Sequence, residues 1–368
     1  MFLRLFYLLI LIFVFEVYVY SGYVDDYISG RISLQSIIFE FTSKTRYSEL
    51  YDLLTEILVK TNVYEVRFEK FRFGYSLGKD VWNDLYVLME DKVFEKYVYN
   101  SVFSERRVLY YFSEYLVSKK DVSDEVIKNF ARVCLLNNYL EELVKVILAK
   151  KVGDEKLLFE VLVKLENFLM FSYITNIYYT FRESRKFDIG SMLIFSRALG
   201  ECGDEESLGL LYIDNPLVVP LRVEFLARFG YFEEVVKEVS RYGISPKNAK
   251  YVFISFINLK DFESARLCLN YMTTWSVKNY FSRVLNVFTS KDLVKAEKEL
   301  KELLLDDGIQ EEFKNQIGFL VWVIETSPNL EILFEDAVSV LNYFNGIRSK
   351  RGYSKRVIDR INLLNSLN

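Results

Sequence analysis

Three strings in the second half of the chain restart one pattern every 30 to 31 residues, and this recurrence limits the fold more than any other feature. Gly230-Tyr231-Phe232-Glu233-Glu234-Val235, Lys260-Asp261-Phe262-Glu263-Ser264-Ala265 and Lys291-Asp292-Leu293-Val294-Lys295-Ala296 each open a helical pattern. The residues that follow place apolar or small side chains at the same offsets: Phe232, Val235, Val239 and Tyr242, then Phe262, Ala265, Leu269 and Met272, then Leu293, Ala296, Leu300 and Leu303. Offsets of 0, 3, 7 and 10 form one stripe of an α-helix.

Each interval has room for a preceding helix. Asn215-Pro216, Ser245-Pro246 and Ser327-Pro328 read as a cap followed by proline at the first helical position, and Gly230 and Gly243 as helix stops. Residues 216–229 and 231–242 therefore read as a helical hairpin. A hairpin with two apolar stripes cannot cover both alone, so stacked copies make an α-solenoid. The helix starts Phe232-Glu233-Glu234-Val235 and Phe262-Glu263-Ser264-Ala265 resemble the second helix of tetratricopeptide repeats, clearest over residues 216–305. The period is below the family's 34, and the closing proline is missing. The resemblance implies an all-α superhelix that binds protein, with its first helices lining the groove. On that basis Arg222, Glu224 and Arg228, which fall off the apolar face, are candidate partner contacts.

The stripe extends backward through Phe171, Ile174, Tyr178 and Phe181, through Leu140, Leu143 and Ile147, and to Tyr47, Leu50, Leu54 and Ile57. It extends forward to Leu330, Leu333, Ala337 and Val340. Val63-Tyr64-Glu65-Val66-Arg67-Phe68 and Phe71-Arg72-Phe73 alternate instead, which leaves room for a short β-hairpin over 63–73, with Gly74 and Gly78 marking a loop. The expected organisation is an export segment over 1–21, an N-terminal helical region over 22–110, a repeat array over 111–345 and a basic capping helix over 346–368.

Composition excludes several chemistries. The chain has no histidine, so it can build no Ser-His-Asp triad, Cys-His dyad or HExxH zinc site. Cys134, Cys202 and Cys268 stand alone and read chiefly as small buried hydrophobes. No phosphate-cradling glycine loop is present. The adjacent carboxylates Glu141-Glu142, Glu233-Glu234, Asp306-Asp307 and Glu311-Glu312 point apart on a helix and read as solvated faces or helix-start charge. No catalytic, metal or cofactor residues emerge. Trp82, Trp275 and Trp322 read as core. The near balance of 47 basic and 51 acidic residues argues against nucleic acid as a partner. Three glutamines among many Lys, Glu and Tyr suit a thermophilic source.

The two ends carry the remaining signals. Arg4 precedes an apolar run from Leu5 to Phe15, and Glu16 ends it. That run is short for a membrane span and reads as a secretory signal cleaved after Ser21, with an uncleaved anchor as the alternative. If uncleaved, it would be the chain's membrane contact. At the other end, Arg348, Lys350, Arg351, Lys355, Arg356 and Arg360 face only Asp359 and are candidate contacts for an anionic partner. The combined expectation is an exported, periplasmic or envelope-associated, non-catalytic scaffold for an unidentified protein partner. Its alternatives are a helical enzyme cleaving envelope polysaccharide through paired carboxylates, and a self-assembling structural component. N-terminal sequencing of the mature protein from fractionated cells is expected to begin at Gly22; a chain beginning at Met1 in the membrane fraction would establish the anchor.

Overall fold

The computed structural model describes residues 22–290, 292–348 and 352–367. The expected export segment lies outside them. Among the described residues the protein is all-α, without strands, and no helix is long and apolar enough to cross a membrane. The chain divides into two compact units, residues 1–184 and 185–368. The boundary falls inside the stretch 111–345 expected as one array.

The repeat is written into the backbone of the turns. Thr45, Asn138, Leu169, Gly230 and Lys260 all adopt positive φ, between 55° and 79°. The last four fall 31, 61 and 30 residues apart. The residue after each has φ near −90° and ψ between 52° and 79°, and the next begins a helix. Each turn closes with the same bond: Arg46 N–H to Phe41 O, Tyr139 to Cys134, Met170 to Leu165, Tyr231 to Leu226 and Asp261 to Phe256, at 2.8–2.9 Å. This is the six-residue closure of a Schellman motif, which satisfies an orphan carbonyl and reverses the chain. Phe171 follows such a turn although its sequence carries no turn signal.

Most stripe positions point inward, although Tyr47 and Leu330, which open two of the stripes, are 42% and 70% exposed. Val235, Ala265, Ala296, Leu143, Ile174, Leu54 and Ala337 are all buried. In the first unit the hairpins stack in two layers. Trp82–Glu90, Asp124–Asn137 and Glu155–Asn167 pack side by side, and Arg106–Ser118, Leu140–Lys150 and Phe171–Phe181 form the second layer against them. In the second unit each helix packs on the next from Ile189–Cys202 to Lys355–Leu367. Val219–Arg228 also packs on Ala249–Asn258, and a longer-range contact brings Leu330–Phe344 onto Ala249–Asn258 as well. There Asn258 and Asn342 exchange amide hydrogen bonds of 2.9 and 3.0 Å. Beside that contact, Phe262 stacks on Phe288 and meets Phe334 edge-on.

Four expectations are corrected. Residues 63–73 are not a β-hairpin but part of the helix Tyr64–Ser76. Val66 and Phe73 lie on one face against the Leu34–Ser43 and Tyr47–Thr61 core, while Phe68 and Phe71 lie on another against Phe103. Burial on two faces imitates strand alternation, and tertiary packing overrides the β-propensity. Gly74 is helical; a Cβ there would lie 2.5 Å from Val81 and 2.6 Å from Tyr51. The prolines at 216, 246 and 328 precede the helices rather than open them. Asn329 is the cap that accepts from Ile332 N–H, and Asn215 caps a turn before the helix Val219–Arg228. Glu142 is 4% exposed rather than on a solvated face, because Arg106 gathers Glu141 and Glu142 at 2.6 and 2.8 Å.

Phe262→Asp is expected to lower unfolding stability by about 2–4 kcal/mol, because it puts a charge among aromatic rings. Denaturant unfolding followed by circular dichroism measures it, and an unchanged midpoint would disprove the packing.

Candidate functional site

A groove of about 930 Å³ lies in the first unit, on the layer formed by Asp124–Asn137 and Glu155–Asn167. Its geometry follows from helix periodicity. Asp124–Asn137 starts at the Ser123 cap and buries Val126, Phe130, Val133 and Cys134. That leaves Asn129, Arg132 and Leu136 on an adjacent row. Glu155–Asn167 starts at the Asp154 cap, whose carboxylate accepts from Leu157 N–H at 3.0 Å. It buries Leu158, Val161, Leu162 and Leu165, and leaves Phe159 and Val163 on the groove side. Val98 and Tyr99, after the short 3-10 helix Lys92–Lys96, form the third wall.

Three large side chains stand open there: Tyr99 is 82% exposed, Leu136 50% and Phe159 39%. A contiguous apolar surface of this kind marks an interaction site more often than a scattered exposed leucine does. Polar groups fix its rim. Arg132 bridges Glu95 at 2.7 Å and Asn129 at 3.2 Å. Asn129 is itself buried and donates to Met89 O at 2.7 Å. Lys164 donates to Asn138 Oδ1 at 3.3 Å. The rim therefore carries both signs of charge around an apolar floor. Sequence reasoning missed this groove; its one legible sign was Leu135-Leu136 and Phe159 falling outside the buried stripes.

The residues singled out by sequence lie in the second unit. Arg222 is buried; its guanidinium pairs with Glu238 at 2.6 Å and donates to Leu211 O at 2.7 Å and Ile213 O at 3.1 Å. It ties the Val219–Arg228 hairpin to the end of the helix before it. Arg228 and Glu224 form a ladder across three successive first helices. Arg228 holds Glu201 of Ile189–Cys202 in two bonds of 2.7 and 3.0 Å, and Glu224 accepts from Tyr251 of Ala249–Asn258 at 2.8 Å. Arg228 lies 3.6 Å from Glu224. Burial, reinforced by Glu224, pushes the Tyr251 hydroxyl well above the usual range.

The C-terminal cations are drawn inward as well. Arg348 N–H donates to Arg228 O, the carbonyl at that helix's end, and its guanidinium donates to Gly203 O at 2.7 Å. Gly203 has φ +80°, and a Cβ there would lie 1.7 Å from Arg348 Nη2. Arg356 bonds the buried Asp336 at 2.8 Å and Thr326 Oγ1 at 2.9 Å, and it lies over Trp322, as does Arg360. Lys355 is exposed. Lys350 and Arg351 lie outside the described residues. Of the tryptophans read as core, Trp82 and Trp322 are half-buried and Trp275 is 60% exposed.

Cys134 and Cys268 are buried and Cys202 is exposed; all three are free thiols. Burial pushes the Cys268 thiol up to about 12 and the Cys134 thiol well above its ordinary value, so neither is poised as a thiolate. Among the described residues no group of three or more Cys, Asp or Glu is placed to hold a metal ion. No family model, no curated protein and no solved structure matches the chain.

The hydrogen bonds from Arg228 hold the Glu201 carboxyl below the usual carboxylate range. A group depressed in the folded state adds stability above its unfolded pKa, and that stability is lost as pH falls through the folded value. Glu201→Gln is therefore expected to destabilise the protein at pH 7 and to flatten the acid limb of its stability profile. Thermal melts from pH 7 down to pH 3 measure this; an acid limb identical to that of the parent would refute the role of the pair.

Proposed function

We propose that this chain is an exported, non-catalytic helical-repeat scaffold, tetratricopeptide-like in design, that holds a segment of a protein partner in the groove bounded by Tyr99, Leu136 and Phe159. The observation that carries this reading is the exposure of those three side chains around one groove, Leu136 and Phe159 on stacked first helices and Tyr99 on the segment that forms its third wall. A rigid two-layer support holds the groove walls, so a partner binds without ordering the scaffold first. Mixed charge at the rim, with Arg132 and Lys164 set near Glu95 and Glu160, would orient an amphipathic segment. The apolar run over Leu5–Phe15 supports export, and the periplasm or envelope as the working compartment. Glu224 and Arg228 take a supporting part, as the ladder between the second unit's first helices, and Arg222 supports the same hairpin by pairing with Glu238. Lys355, Lys350 and Arg351 remain the C-terminal contacts proposed for an anionic partner.

Affinity purification of the full chain from envelope extracts is the test. It should recover a stoichiometric protein that Leu136→Asp and Phe159→Asp both release while the melting temperature of each variant stays within a few degrees of the parent. A partner retained by both folded variants would place the binding surface elsewhere.

A further inference from the structure

The ends of two successive first helices in the second unit form a seat for a planar cation. Ile189–Cys202 stops at Gly203, whose φ of +80° turns the chain away. Val219–Arg228 stops at Phe229. A helix C-terminus carries the negative end of the helix dipole and carbonyls without an intrahelical donor. Gly203 O, just past the last turn, and the face of the Phe229 ring both address the guanidinium of Arg348. Its Nη1 donates to Gly203 O at 2.7 Å, and its Cζ lies 5.9 Å from the Phe229 centroid. The bare backbone of Gly203 makes room for it. A Cβ there would lie 1.7 Å from Nη2 and 2.2 Å from both Cζ and Nη1.

Arg348 fills this seat from a segment that is anchored without its guanidinium. The Arg348 backbone N–H donates to Arg228 O, and Ile347 is fully buried in the core. Gly346, at φ +65°, passes over Arg228, where a Cβ would lie 3.8 Å from Nε. Arg348 itself is exposed. Its side chain can therefore leave the seat by rotating about its own bonds while the backbone stays in place. The present occupant defines the chemistry that fits. Gly203 O and the Phe229 ring offer no donor to an anion, and both attract a cation. A flat guanidinium lies against glycine backbone and a ring face, whereas a compact, strongly hydrated ammonium gains less from either.

We propose that Gly203 and Phe229 form a receptor for an arginine of a partner polypeptide, occupied in cis by Arg348 when no partner is bound. The partner's guanidinium takes the hydrogen bond to Gly203 O and the face of Phe229, and Arg348 turns out to solvent. Occupancy in cis makes the exchange selective. A partner must bring further contacts along with its arginine to compete with a side chain tethered at the site. The receptor lies in the second unit and does not depend on the groove proposed in the first.

Arg348→Ala empties the receptor and keeps the backbone N–H that bonds Arg228 O. Titration of this full-length variant with N-acetylarginine methylamide, followed by ligand-observed nuclear magnetic resonance, is expected to give a dissociation constant of about 1–10 mM, the range for a small ligand held by two contacts. The parent should bind the same probe about ten-fold more weakly, because Arg348 competes in cis. N-acetyllysine methylamide should bind the variant about ten-fold more weakly than the arginine probe does. Should Arg348→Ala not fold, Arg348→Ser carries the same expectations. No binding of the arginine probe to the variant at about 50 mM would overturn the proposal. Equal binding by parent and variant, or equal binding of the lysine probe, would overturn it too. Tighter binding of free arginine than of the blocked probe would overturn a polypeptide as the ligand.

Discussion

A helix with one apolar stripe can be covered by one neighbour, but the hairpins of this protein carry a stripe on each helix and a second surface besides. Each hairpin is incomplete until another lies against it. That requirement sets the direction of growth, the two-layer packing of Asp124–Asn137 and Leu140–Lys150, and the location of every surface that remains open. The turn between the helices enforces it. A left-handed residue and the six-residue closing bond turn the chain back at one angle each time, from Arg46 N–H onto Phe41 O to Asp261 N–H onto Phe256 O. Because the turn is a backbone device, its side chains can be Thr, Asn, Leu, Gly or Lys. Gly230 takes the left-handed conformation at little cost, while Leu169 and Thr45 hold it against a steric penalty of roughly 1–2 kcal/mol that surrounding packing must offset.

That substitution freedom explains which parts of the fold were legible. The stripes were readable wherever burial is one-sided: Val235 and Val239, Ala265 and Leu269, Leu300 and Leu303 all lie where their offsets put them. Helix identity was lost where burial is two-sided, as at Val66, Phe68, Phe71 and Phe73, because alternation then reports two buried faces rather than one strand. Capping was misplaced where two polar residues flank a proline; Asn329, not Ser327, accepts the helix N–H. Charge was misjudged where a long side chain reaches across sequence. Arg222 lies off the apolar stripe, yet its guanidinium finds two carbonyls at the end of the previous helix. No local pattern announces those acceptors. The groove was invisible for a related reason: it is made of residues left over from burial, drawn from elements as far apart as Tyr99 and Val163.

The missing histidine narrows how such surfaces can work. Without imidazole the chain has no side chain that ordinarily titrates between pH 5 and 8. Its polar network relies on ion pairs such as Arg228 with Glu201 and Arg356 with Asp336, and on neutral amides such as Asn258 with Asn342. Interactions of this kind fix geometry more than they add stability.

The amide pair between Asn258 and Asn342 also separates the two units in how they should come apart. In the first unit the extensive contacts join helices no more than two α-helices apart along the chain, so structure can be lost one hairpin at a time from an end. In the second unit a contact 84 residues long joins the middle of the unit to its last hairpin. Closing it carries a larger loop entropy, and opening it exposes the core of several hairpins together. One half of the molecule is therefore built to fray, and the other to unfold as a single event.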